Sequence, residues 1–87
     1  MKVNKKVWPD EFKKILGKKS YIEMRLADFR IGKGDTLTLR EWNPETEKYT
    51  GREVKFDVTD LKKVNLKKYY DMKDVERYGV YLIELKR

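Results

Sequence analysis

The stretch Gly17-Lys18-Lys19-Ser20-Tyr21-Ile22-Glu23-Met24-Arg25-Leu26-Ala27-Asp28 alternates polar and apolar residues from Tyr21 to Leu26. That period of two predicts a half-buried strand. Residues two apart on a strand share a face. Lys19, Tyr21, Glu23 and Arg25 are therefore expected to project together, with Ile22, Met24 and Leu26 turned to the core. The polar face would carry two cations, a carboxylate and a phenol. It is either ordinary solvent surface, with Glu23 paired to Arg25 or Lys19, or the lining of a binding site.

Working outward, Trp8-Pro9-Asp10-Glu11 opens a helix, with Pro in its first turn and acids at the positive end of the dipole. Phe12, Ile15 and Leu16 share a face, and Gly17 ends the helix. Downstream, Gly32-Lys33-Gly34-Asp35 reads as a turn. Leu37 and Leu39 alternate in a strand ending near Trp42. Val54, Phe56 and Val58 alternate in another, across a loop from Asn43-Pro44 to Thr50-Gly51, which makes an antiparallel hairpin. Between Leu61 and Arg77 the apolar spacing predicts one or two short helices. The run Val80 to Leu85 predicts a buried closing strand. Trp8, Phe12 and Phe56 are expected in the core.

The chain has 87 residues, 22 Lys+Arg against 15 Asp+Glu, and a formal charge of +7. Its length allows one domain, residues 1–87, and leaves no room for a separate cofactor lobe. No apolar run approaches the roughly 20 residues that span a bilayer, so no membrane partner is expected. The absence of Cys and His excludes disulfides, thiol nucleophiles, His-based triads and Cys/His zinc sites. A reducing cytoplasm fits that composition, and neither metal nor cofactor is expected. The lack of Gln beside many Lys and Glu is thermophile-like. Residues 1–19 hold seven lysines against two acids, and five lysine pairs, including Lys13-Lys14, Lys18-Lys19 and Lys67-Lys68, gather charge at the two ends of the chain. Such a surplus is either a solvated ion-pair surface or a surface that meets a polyanion.

The quoted stretch resembles the Gly-x-Lys-x-x-Glu-x-Arg signature of ASCH domains, within the PUA-like superfamily. The likeness continues through Gly34-Asp35-Thr36-Leu37, Glu41-Trp42-Asn43-Pro44, Tyr49-Thr50-Gly51-Arg52 and the ending Tyr78 to Glu84. The resemblance implies an α+β fold, a small PUA-like β-barrel of mostly antiparallel strands flanked by short helices. It also implies a cleft beside the signature strand that binds RNA or a nucleotide. Gly17, Lys19, Glu23 and Arg25 take the signature positions. Three residues separate Lys19 from Glu23 where the family usually has two, so the usual geometry calls for a bulge near Ser20.

The expected function is RNA or nucleotide binding at Lys18, Lys19, Tyr21, Glu23, Arg25, Tyr49 and Arg52, with Lys13, Lys14, Lys67 and Lys68 as peripheral attraction. Cations meet phosphates and exposed aromatics meet bases. Arg52 is alternatively a partner for Glu41. A second reading is a small nucleoside amidohydrolase acting on acylated cytidines, an activity some ASCH members have. There Lys19 would be catalytic, with its pKa lowered from about 10.4, and Glu23 would transfer the proton. Binding asks for less than catalysis, which needs a closed pocket. Asp28 and Asp35 read as turn residues rather than metal ligands. A third reading is a protein-interaction module, and a monomer is the simplest state.

Overall fold

The computed structural model describes residues 1–64 and 79–87. Their elements are β1 (Lys2–Val7), α1 (Pro9–Leu16), β2 (Ser20–Leu26), β3 (Thr36–Asn43), β4 (Lys48–Val64) and β5 (Val80–Lys86). The strands form one sheet in the order β1-β3-β4-β5-β2. Strand β1 runs parallel to β3, and the other three pairings are antiparallel.

The α+β barrel flanked by short helices that the resemblance implies is therefore not formed: the described residues are mostly strand, with α1 as their one helix. The sheet is mixed and open, because no ladder joins its two edge strands, β1 and β2. Those edges nevertheless approach each other. A guanidinium nitrogen of Arg25 on β2 donates to the Lys6 carbonyl on β1 at 3.1 Å. The sheet is thus curled, and one side-chain contact spans the gap that backbone pairing would have to close.

The concave side holds the core. Leu37 and Leu39 of β3, Phe56 and Val58 of β4, and Ile83 and Leu85 of β5 are buried there. Their period-two spacing follows from the pleat. Helix α1 covers this side with Phe12 and Ile15. Its first backbone bond runs from the Phe12 N–H to the Trp8 carbonyl at 2.9 Å. Asp10 and Glu11 sit in its first turn and Lys13 and Lys14 in its last, each favourable to the helix dipole.

Helix α1, the β3–β4 hairpin and β5 lie where their periodicity predicts. The hairpin is tighter than its loop signals suggested. Only residues 44–47 turn, and β4 runs 17 residues. Residues 61–64, read as helical, are the end of β4, where Leu61 pairs with Ile83 and Val64 with Val80. The rest of the expected helical segment, including Lys67, Lys68, Tyr69 and Tyr70, lies outside the described residues. Strand β1 was not anticipated. Val3 and Val7 are its apolar signal, with Asn4, Lys5 and Lys6 between them masking it.

Strand β2 faces the opposite way from the expectation. Tyr21, Glu23 and Arg25 turn to the concave side, and Ile22 and Met24 are each 65% exposed. The physical reason lies in the partner strand. In the antiparallel register Tyr21 pairs with Leu85 and Glu23 with Ile83, both fully buried. Directly opposite residues share a face, so the odd-numbered positions of β2 follow β5 inward. Tyr21 packs edge-on against Phe56 with ring centroids 5.2 Å apart.

Gly79 starts the return into β5. Its φ of 78° is left-handed, its carbonyl accepts from the Ala27 N–H at 2.9 Å, and a Cβ there would stand 3.0 Å from the Val64 carbonyl oxygen. Gly79→Ala is expected to destabilise the domain by about 1–2 kcal/mol from the left-handed backbone alone, with the close carbonyl adding to it. Urea unfolding of the two proteins checks this, and equal midpoints would contradict the backbone geometry described here.

Candidate functional site

A cleft of about 500 Å³ lies between the end of β1, helix α1 and β2. That size is in the range of small-molecule sites. Strand β1 brings Lys6 and Val7 to it, and Trp8 follows at the helix entrance. Helix α1 contributes Glu11, Lys14 and Ile15, one turn apart on a single face. Lys18, the inward Tyr21, Glu23 and Arg25 of β2, and its outward Ile22 complete the described lining. The cleft exists because β1 and β2 are opposite edges of a curled sheet and α1, the connection between them, bridges one end.

Glu23 is one of its lining residues. The Tyr21 hydroxyl donates to Glu23 Oε2 at 3.3 Å, and an Arg25 nitrogen donates to the same oxygen at 3.3 Å. Arg25 is also the residue that reaches the Lys6 carbonyl. Burial against the core raises the Tyr21 phenol well above its ordinary value, and the neighbouring Glu23 charge and hydrogen bond add to that. Tyr21 therefore stays a protonated donor across the physiological range. The Lys18 ammonium lies 5.5 Å from the centre of the Tyr21 ring, within cation–π reach.

The structure brings Lys14, Lys18, Tyr21, Glu23 and Arg25 together. It leaves other expected residues apart. Strand β2 keeps an unbroken register from Ser20 to Leu26, so there is no bulge at Ser20. Lys19 is exposed and its carbonyl accepts from the Arg87 N–H, but it is not in the lining of the cleft. Lys13 is exposed on α1. Tyr49, 43% exposed at the start of β4, lies under the Arg40 guanidinium at 3.9 Å. Arg52 holds Glu41 through two bonds of 2.8 and 2.9 Å, the alternative its place in the hairpin allowed. Asp35 accepts from the Gly32 N–H at 2.8 Å, a turn role.

Sequence reasoning missed Lys6 and Trp8 as cleft residues. Trp8, expected in the core, is 59% exposed. A signal existed, because Trp8 precedes the helix-opening Pro9 and so falls one step outside the apolar helical face. Lys6 needed strand β1 to be recognised first. The Lys6 ammonium also approaches the Trp42 ring at 4.5 Å.

The protein is thus a small single-sheet domain with a cation-rimmed, carboxylate-bearing cleft at its open seam. The chain belongs to the family described as Domain of unknown function (DUF3850), whose match spans residues 4–75. A solved structure titled "Crystal structure of hypothetical protein PH0355" is similar in fold, with a TM-score of 0.70 and 21% sequence identity over 99% of this chain and 98% of that one. No curated protein matches the chain. Among the described residues, no helix is long and apolar enough to cross a membrane.

Proposed function

We propose that the domain binds RNA or a nucleotide in the cleft between β1, α1 and β2, in a reducing cytoplasm. One observation carries this reading. Lys6, Lys14, Lys18 and Arg25 surround a cleft whose rim is the exposed indole of Trp8. Cations that track phosphates beside an aromatic face for stacking are what single-strand binding requires. The hydrolytic alternative gains nothing from this arrangement, since Lys19, its nucleophile, does not line the cleft.

Titrating a mixed-sequence RNA decamer against the protein at several salt concentrations tests the proposal, with quenching of tryptophan fluorescence as the signal. If all four cations meet phosphates, log affinity falls with log salt at a slope of about −2.8. A flat response overturns the phosphate contacts. Binding with no change in emission overturns the stacking role of Trp8.

A further inference from the structure

Glu23 is the one acid on the inward face of β2, set among cations that would already suffice for a phosphate chain. Its two donors, Tyr21 and Arg25, both use Oε2. Oε1 has no protein partner among the described residues, and the side chain is 19% exposed, opening into the cleft. A part-buried carboxylate with one oxygen fixed and the other unused is a hydrogen-bond acceptor waiting for a donor from the ligand. It cannot be a phosphate contact, because two anions would repel.

Resting on the binding reading above, we infer that Glu23 Oε1 reads the base, accepting from the exocyclic amino group of an amino-bearing nucleobase that stacks beside Trp8. Carboxylates read amino groups of bases in this way. Cytosine, adenine and guanine each present such a group. Uracil presents a single ring N–H between two carbonyl oxygens, which a carboxylate disfavours. Arg25 and Tyr21 fix the direction of the carboxylate, acting as positioning residues. The lysines supply attraction without choice of base, and Glu23 supplies the choice.

Affinities of hexacytidylate, hexaadenylate and hexauridylate, measured at one salt concentration on the wild-type protein, test this directly. The amino-bearing oligomers are expected to bind roughly five- to tenfold tighter than hexauridylate. Glu23→Gln, close in shape, is expected to bring all three within about twofold while leaving the salt slope unchanged. Hexauridylate binding as tightly as the others in the wild-type protein overturns base reading and leaves the phosphate-binding proposal standing. A preference that survives intact in a folded Glu23→Gln protein assigns the choice to another group and overturns the role of Glu23. No binding of any oligomer overturns both proposals together.

Discussion

Replacing Phe12 with alanine is expected to cost about 3–5 kcal/mol of unfolding free energy, out of the roughly 5–15 kcal/mol typical of a domain. Phe12 is fully buried, and with Ile15 it is the whole apolar grip of α1 on the sheet. An eight-residue helix does not hold its shape alone in water. It is helical here because those two side chains dock it. The same helix carries Glu11 and Lys14 and places Trp8, so the RNA or nucleotide binding proposed above should fall with stability. Thermal unfolding should show a loss of about 15 °C or more. Phe12→Leu, which keeps most of the volume, should lose far less. A Phe12→Ala loss under 1 kcal/mol would mean that α1 does not cover the sheet as described.

The second large effect concerns Glu41. Its side chain is almost completely buried, and its oxygens accept from Arg52 twice and from the Thr50 hydroxyl at 2.7 Å. The Arg52 hydrogen bonds, then that of Thr50, hold the carboxyl below the usual Glu range. A carboxyl depressed in the folded state contributes stability above its unfolded pKa, and that stability is lost as pH falls through the folded value. The wild-type protein should therefore lose stability from about pH 4.5 downward. Arg52→Ala leaves the buried carboxylate with the Thr50 hydroxyl alone, and an unpaired buried charge is strongly destabilising. Tm at pH 7 is expected to fall by roughly 10 °C. The pH dependence should then reverse in sign, because burial without a cation raises the carboxyl and protonation relieves it. Adding Glu41→Gln to Arg52→Ala should recover much of the loss. Equal Tm for wild type and Arg52→Ala at pH 7 would remove the pair from the account of stability.

How much of this was legible in the sequence depends on whether the deciding interaction was local. The helix from Pro9 to Leu16 and the alternation of Leu37, Leu39, Val54, Phe56 and Val58 are local patterns, and they lie where they were read. The facing of β2 is not local. Tyr21-Ile22-Glu23-Met24-Arg25 alternates cleanly, but hydrophobicity assigns Ile22 and Met24 to the core, and the pairing with Leu85 and Ile83 decides otherwise. The cost of turning Glu23 and Arg25 inward is met by each other and by the Lys6 carbonyl. Closure of the sheet was also out of reach of periodicity. Whether β1 and β2 pair depends on curvature over all five strands, and in this domain it stops one hydrogen-bonded ladder short. Of the cleft residues, Tyr21, Glu23 and Arg25 share a face by their spacing, whereas Lys14 reads from sequence only as peripheral charge, and Lys19, expected beside them, is not in the lining. Lys6 was not legible without β1, and Trp8 reads as core although it precedes the helix-opening Pro9.

Every described residue that lines the cleft falls between Lys6 and Arg25. One uninterrupted run of chain, leaving one edge of the sheet and joining the other, supplies all of that lining. Among the described residues, the three inner strands contribute support but no lining. If the cleft binds as proposed above, substitutions within that run are expected to change which ligand is held while the inner strands keep their sequence.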